Sequence, residues 1–149
     1  MSGGRTVLLL SGPNLNLLGD REPETYGTQT LEDHVAAATS AAEARGLALE
    51  HLQSNHEGDL IDAIHGARHR CAAIVINPGA FTHYAWAIHD ALAAFDGPVV
   101  ELHLSDPEQR EPWRHLSVVA PVAAATIKGR GGAGYPAAID AVADLLEET

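Results

Sequence analysis

Tyr26 and Arg21 lie five positions apart in one stretch, SGPNLNLLGDREPETYGTQT, that runs from Ser11 to Thr30. A tyrosine hydroxyl has an ordinary pKa near 10, so about one in a thousand is ionised at neutral pH. A guanidinium alongside favours the phenolate, and lowering the pKa by about three units takes about 4 kcal/mol of differential interaction. A phenolate held in this way is a general base able to take a proton from carbon. Arg110 and Arg114 supply further guanidinium groups after a later strand. The competing use of Tyr26 is packing, with its hydroxyl in water.

Glu101 and His103 form a second pair. Two positions apart on a strand, they point to one face. A carboxylate beside an imidazole fixes its tautomer and stabilises the imidazolium, which suits a proton donor. The competing reading is a cross-strand pair without chemistry. His65 and His69 have the i, i+4 spacing of a metal site, but no HExxH motif or cysteine partner accompanies them. They read as a solvated helix face, and no metal is expected. His34, His51 and His115 carry no signal, and Cys71, the single cysteine, opens an apolar run and reads as a buried thiol.

The elements that must position these groups alternate regularly. Val7 to Leu10, Leu47 to Leu52, Ala72 to Ile76, Val99 to Leu104 and a segment within 118–127 read as apolar strands. Between them, helices start at Thr30-Leu-Glu-Asp33, carry Leu60, Ile61, Ile64 and Ala67, and carry Ala85, Ile88, Leu92 and Phe95 behind a Thr82 cap. A last helix has Pro136 at its first position and Ile139, Val142 and Leu146 on one face. Five strands and four helices in alternation predict a parallel sheet covered on both faces, an α/β, flavodoxin-like, doubly wound arrangement. Ligands of such sheets sit beyond the carboxyl ends of the strands, and the polar clusters fall there. Asn14, Asn16, Arg21 and Tyr26 follow the first strand, Asn77 and His83 the third, and Glu101, His103 and Ser105 close the fourth. The 20-residue connection after the first strand is long for a strand-to-helix link, which marks a functional loop with a mobile lid at 20–27.

At 149 residues the chain is read as one domain, 46% hydrophobic and 19% charged. Twenty acids against nine bases give a net charge of −11, which disfavours nucleic acid as a partner. No apolar run is long enough for a membrane span, no signal peptide is evident, and one cysteine fits a reducing cytoplasm. An anionic ligand would need a local trap of arginines and backbone N–H groups.

Six motifs, GPNLNLLG, REPETYG, QSNHEG, INPGAFTH, ELHLS and REPWRH, occur in this order from about Val7 to Tyr135. In order and spacing they resemble the type II 3-dehydroquinate dehydratase family. Phe81, Asp106 and Lys128 depart from that pattern, where Tyr, Asn and a small residue are common, and none falls on a catalytic position. The resemblance implies reversible dehydration of 3-dehydroquinate to 3-dehydroshikimate in the shikimate pathway, through an enolate and without a cofactor. It assigns Tyr26 as base, Arg21 as its phenolate partner, Asn14 as enolate support through a water, and His103, oriented by Glu101, as the acid. Substrate capture falls to Asn77, His83, Arg114 and the backbone of Leu104 and Ser105, with Asp90 reaching in from a neighbouring subunit of a dodecamer of four trimers. The unrelated Schiff-base route needs a lysine in an apolar pocket, and the chain has only Lys128, beside a Gly-rich turn.

A nucleotide- or flavin-binding module is the rival reading, because Gly129 to Gly134 fits G-x-G-x-x-G between a strand and a helix. That fingerprint belongs in the first turn of its fold, with an acid about twenty residues further on. Here it comes last. A scaffold without chemistry, using its polar rim as an interface, is the other alternative.

Overall fold

A computed structural model describes residues 5–20 and 22–148, with the side chain of residue 26 outside the description. Five parallel strands stand in the order β2-β1-β3-β4-β5. They are β1 (Thr6–Ser11), β2 (Ala48–Gln53), β3 (Ala73–Asn77), β4 (Val99–Leu102) and β5 (Ala125–Ile127). The strand order reverses at β1 and β3, which is the flavodoxin-like pattern. Central β3 is buried along its whole length, whereas edge strand β2 alternates between exposed and half-buried residues. That difference explains why β3 reads as continuously apolar and β2 does not.

The helices are α1 (Pro23–Tyr26), α2 (Leu31–Ala44), α3 (Glu57–Ala67), α4 (Trp86–Ala93) and α5 (Gly134–Glu147). Four were expected; the single-turn α1 inside the long first connection is the addition. On one face, Ala38 and Ala42 of α2 and Ile139 and Val142 of α5 pack against Val7, Leu9 and Val75. On the other, Leu60 and Ile64 of α3 and Ile88 and Leu92 of α4 pack against Leu8, Leu10 and Ile76. Each fully buried Leu or Ile adds roughly 1.5–3 kcal/mol of hydrophobic stabilisation. Among the described residues, no helix is long and apolar enough to cross a membrane.

The start of α2 is as its sequence reads. Thr30 Oγ1 accepts from the Asp33 N–H at 3.2 Å and Asp33 Oδ2 accepts from the Thr30 N–H at 3.0 Å, a reciprocal capping box. The helix stops at Gly46, whose φ of 71° is the left-handed conformation glycine adopts freely. Three expectations need correction. Thr82 does not cap α4: it sits in a 3-10 turn (Gly79–His83), and its hydroxyl lies 2.5 Å from Glu101 Oε2. A buried carboxylate is a stronger acceptor for that hydroxyl than a helix terminus is a partner. Pro136 is the third residue of α5 rather than the first, a place where no intrahelical N–H bond is lost. β4 ends at Leu102, although the His103 N–H still donates to the Ile127 carbonyl at 2.9 Å.

The β1 and β3 ends meet at close quarters. The Gly12 N–H donates to the Asn77 carbonyl at 2.8 Å. A Cβ on Gly12 would stand 2.5 Å from the Pro78 carbonyl oxygen, so only glycine fits this crossing. Pro13 and Asn14 are thereby delivered beside Asn77.

Candidate active site

A cavity of about 210 Å³ opens over the carboxyl ends of β1, β3 and β4. Its walls include Asn14, Asn77, His83, His103, Leu104, Ser105 and Arg114, brought together from three distant segments. Glu101 stands behind His103. Arg110, expected with Arg114 as a guanidinium near Tyr26, is also a wall residue. Two arginines and two histidines thus gather at one opening of a chain with net charge −11. Such a local trap is what an anionic ligand requires.

The Glu101 carboxylate is 1% exposed and accepts three hydrogen bonds through side chains. His103 Nε2 lies 2.6 Å from Oε2, and the Ser117 hydroxyl 2.9 Å from Oε1. Burial pushes its pKa up, but the bond to and charge of His103, then Thr82 and Ser117, outweigh burial and hold it below the usual range. Because a carboxylate can only accept, Nε2 carries the proton and Nδ1 is left for other work. Protonated, Nδ1 is a donor; neutral, it is an acceptor. This is the wiring of a general acid–base imidazole.

His83 Nδ1 donates to the Leu116 carbonyl at 2.7 Å, and its ring meets Trp113 edge-on at 5.4 Å. Burial above all, with the nearby His103 and Arg114 charges, lowers its pKa against the pull of the Leu116 bond. The neutral ring keeps Nε2 as an acceptor. Arg114 lies over the Trp113 ring at 4.0 Å and bonds Glu111 at 2.9 Å, which fixes the guanidinium at the cavity wall. Arg110 Nη1 donates to Ser105 Oγ at 3.3 Å. The carbonyls of Leu104 and Ser105 accept from the N–H groups of Gly131 and Gly129, so the Gly-rich turn braces the chain beneath the cavity.

Asn14 has a φ of 69°, and its N–H donates to Asn55 Oδ1 at 2.9 Å. Gln53 Nε2 donates to the same oxygen at 3.2 Å. The QSNHEG segment therefore holds Asn14 in a left-handed conformation at the cavity edge. Asp90 lies outside this chain's own cavity, on α4, with its side chain 84% exposed and bonded to His89. Arg21 and the Tyr26 side chain lie outside the described residues. His65 and His69 are exposed, Cys71 is buried, and no cluster of three metal-ligating side chains occurs among the described residues.

Thr82, Ser117 and Asn55 act on the expected site residues but were not anticipated. A Ser or Thr that bonds a distant carboxylate leaves no periodic signal in a sequence. Asn55 lies in QSNHEG, one of the six motifs, without a signal of its own.

A flavodoxin-like sheet with a hydrogen-bonded Glu101–His103 pair and two arginines at a cavity over its strand ends has the architecture of small-molecule α/β enzymes. The chain belongs to the class II dehydroquinase family, whose profile matches residues 5–143. It is 54% identical over 142 residues, 95% of each chain, to a protein of Pseudomonas putida named 3-dehydroquinate dehydratase 2. Among solved structures it resembles the type II dehydroquinase of Butyrivibrio crossotus, with a TM-score of 0.90 and 42% identity over 93% of this chain and 97% of that one. It also resembles the type II dehydroquinase of Propionibacterium acnes, with a TM-score of 0.91 and 39% identity over 97% and 99% of the two chains.

Proposed function

We propose that this protein catalyses the reversible dehydration of 3-dehydroquinate to 3-dehydroshikimate. The observation that carries the reading is the cavity joining Asn14, Asn77, His83, His103 and Arg114 in a member of the dehydroquinase family. The reaction needs a base for a hydrogen next to a ketone, a stabiliser for the enolate and an acid for the departing hydroxyl. Tyr26 is the base, with Arg21 sustaining its phenolate and Asn14 supporting the enolate through a water. His103 protonates the leaving oxygen from Nδ1 while Glu101 holds Nε2. Asn77, His83, Arg114 and the backbone at Leu104 and Ser105 receive the polar groups of the substrate.

The route is an enolate without covalent attachment. Lys128, the single lysine, pairs with Glu108 and does not line the cavity that joins Asn14 and Asn77. No cofactor is invoked. The chain acts as one cytoplasmic domain whose 20–27 segment closes over the substrate. It assembles as a dodecamer of four trimers in which Asp90 enters a neighbour's site. The exposure of Asp90 and of the aromatic residues Tyr84, Trp86 and Trp113 supports such an association.

Purified protein given 3-dehydroquinate should generate the ultraviolet absorbance of a conjugated enone. Absence of that signal in folded protein would overturn the reading. A sedimentation measurement tests the assembly, and visible flavin colour would revive the nucleotide-binding alternative.

A further inference from the structure

Tyr135 is one of only three tyrosines and is fully buried at the second position of α5, away from the cavity walls. Its hydroxyl nevertheless accepts a hydrogen bond from Asn77 Nδ2 at 3.3 Å. Asn77 is the last residue of β3, 3% exposed, and does line the cavity. The other end of its amide is also engaged: Oδ1 accepts from the Gly79 N–H at 3.3 Å. A backbone N–H can only donate, so Gly79 settles which end of the amide is oxygen. Tyr135 then settles where one of the two Nδ2 hydrogens goes. One hydrogen and one lone pair remain for a ligand.

The tyrosine ring is itself held. His34 of α2 stacks on it with ring centroids 5.0 Å apart and planes 8° from parallel. His34 in turn is 2% exposed, and a Cβ on Gly132 would stand 2.6 Å from its ring. Ser11 is the register partner of Asn77 across β1 and β3. The phenol oxygen is therefore a fixed point among three secondary-structure elements. Nothing about it resembles a group waiting for substrate.

We propose that Tyr135 is a positioning residue for substrate capture, acting through Asn77 by fixing the plane of its carboxamide. This rests on the reading of the cavity as the dehydration site. Removing the hydroxyl leaves the ring and its stack in place and leaves the amide tethered at Oδ1 alone, so that its Nδ2 end can swing about the Gly79 bond. A ligand then meets a carboxamide in the right orientation only part of the time, which weakens ground-state and transition-state binding alike.

The test is a steady-state comparison of Tyr135→Phe with the unaltered protein, and of the same change in an Asn77→Ala background. Tyr135→Phe should raise KM roughly three- to tenfold with kcat within about twofold. In the Asn77→Ala background the same change should leave KM unmoved, because no amide remains to orient. An unchanged KM in Tyr135→Phe, or an equal KM rise with and without Asn77, would overturn the proposal. A thermal melt of each variant separates this from lost stability, which lowers the melting temperature without a KM effect that depends on Asn77. Failure of the unaltered protein to turn over 3-dehydroquinate would instead overturn the functional reading beneath it.

Discussion

Ser117 Oγ stands 2.9 Å from both oxygens of the Glu101 carboxylate. The same oxygen accepts from the N–H groups of Val119 and Ala120 at 3.1 and 3.0 Å. Ser117 thus ties the end of one loop to the group that aligns His103. The dyad is anchored from behind, on the side away from the cavity that joins Asn14 and Asn77.

Glu101→Gln keeps the shape of that anchor and removes its charge. In the fold the carboxyl is held below its ordinary value of 4.5, so its ionised form contributes stability above that pH. The contribution fades as pH falls through the lower folded value. The variant should be roughly 1–3 kcal/mol less stable at neutral pH, with the gap closing in acid. Chemical denaturation at several pH values measures this; a gap constant with pH would contradict it.

His103→Ala should cut kcat by roughly a hundredfold or more and alter KM much less. If His103 merely packs, turnover will survive.

Tyr26→Phe should leave the fold intact and abolish dehydration, since no proton acceptor remains. Retention of a tenth of the activity would remove Tyr26 from the role of base. Arg21→Ala should lose activity and move the pH optimum upward, because the phenol ionises only at higher pH without its cation. An unmoved profile would show that Arg21 does not sustain a phenolate.

His34 offers a stability test apart from the chemistry. Burial, the dominant cause, keeps its pKa below the ordinary 6.5, against a smaller upward pull from Asp33. The unfolded chain therefore takes up the proton first, and stability falls as pH drops below 6.5. His34→Phe preserves a flat ring against Tyr135 and removes the Nε2 atom that lacks a hydrogen-bond partner. Its melting temperature should decline less than that of the unaltered protein between pH 7 and 5. A residual slope will remain, since burial also lowers His51 and His83.

The fold was legible because burial writes itself into sequence as runs and periods. β3, sealed on both faces, and the Thr30 capping box, a local pattern of four residues, were readable directly. The convergence of Asn14, Asn77, His83 and His103 followed from the rule that ligands sit at strand ends. What escaped was long-range polar pairing. Nothing near Thr82 discloses that Glu101, nineteen residues on, claims its hydroxyl. His34 carried no sign of burial because a histidine among alanines fits a solvated face equally well. Tyr135 was hidden by its distance from the cavity wall.

The crossing at Gly12 and Pro78 has a bearing on redesign. Because no side chain can be inserted between these backbones, Asn14 and Asn77 ride on a single welded joint. An engineer seeking a different substrate could not reshape one jaw of the cavity and leave the other still. Altered specificity will come more readily from the third side, the 105–114 segment that carries Arg110 and Arg114.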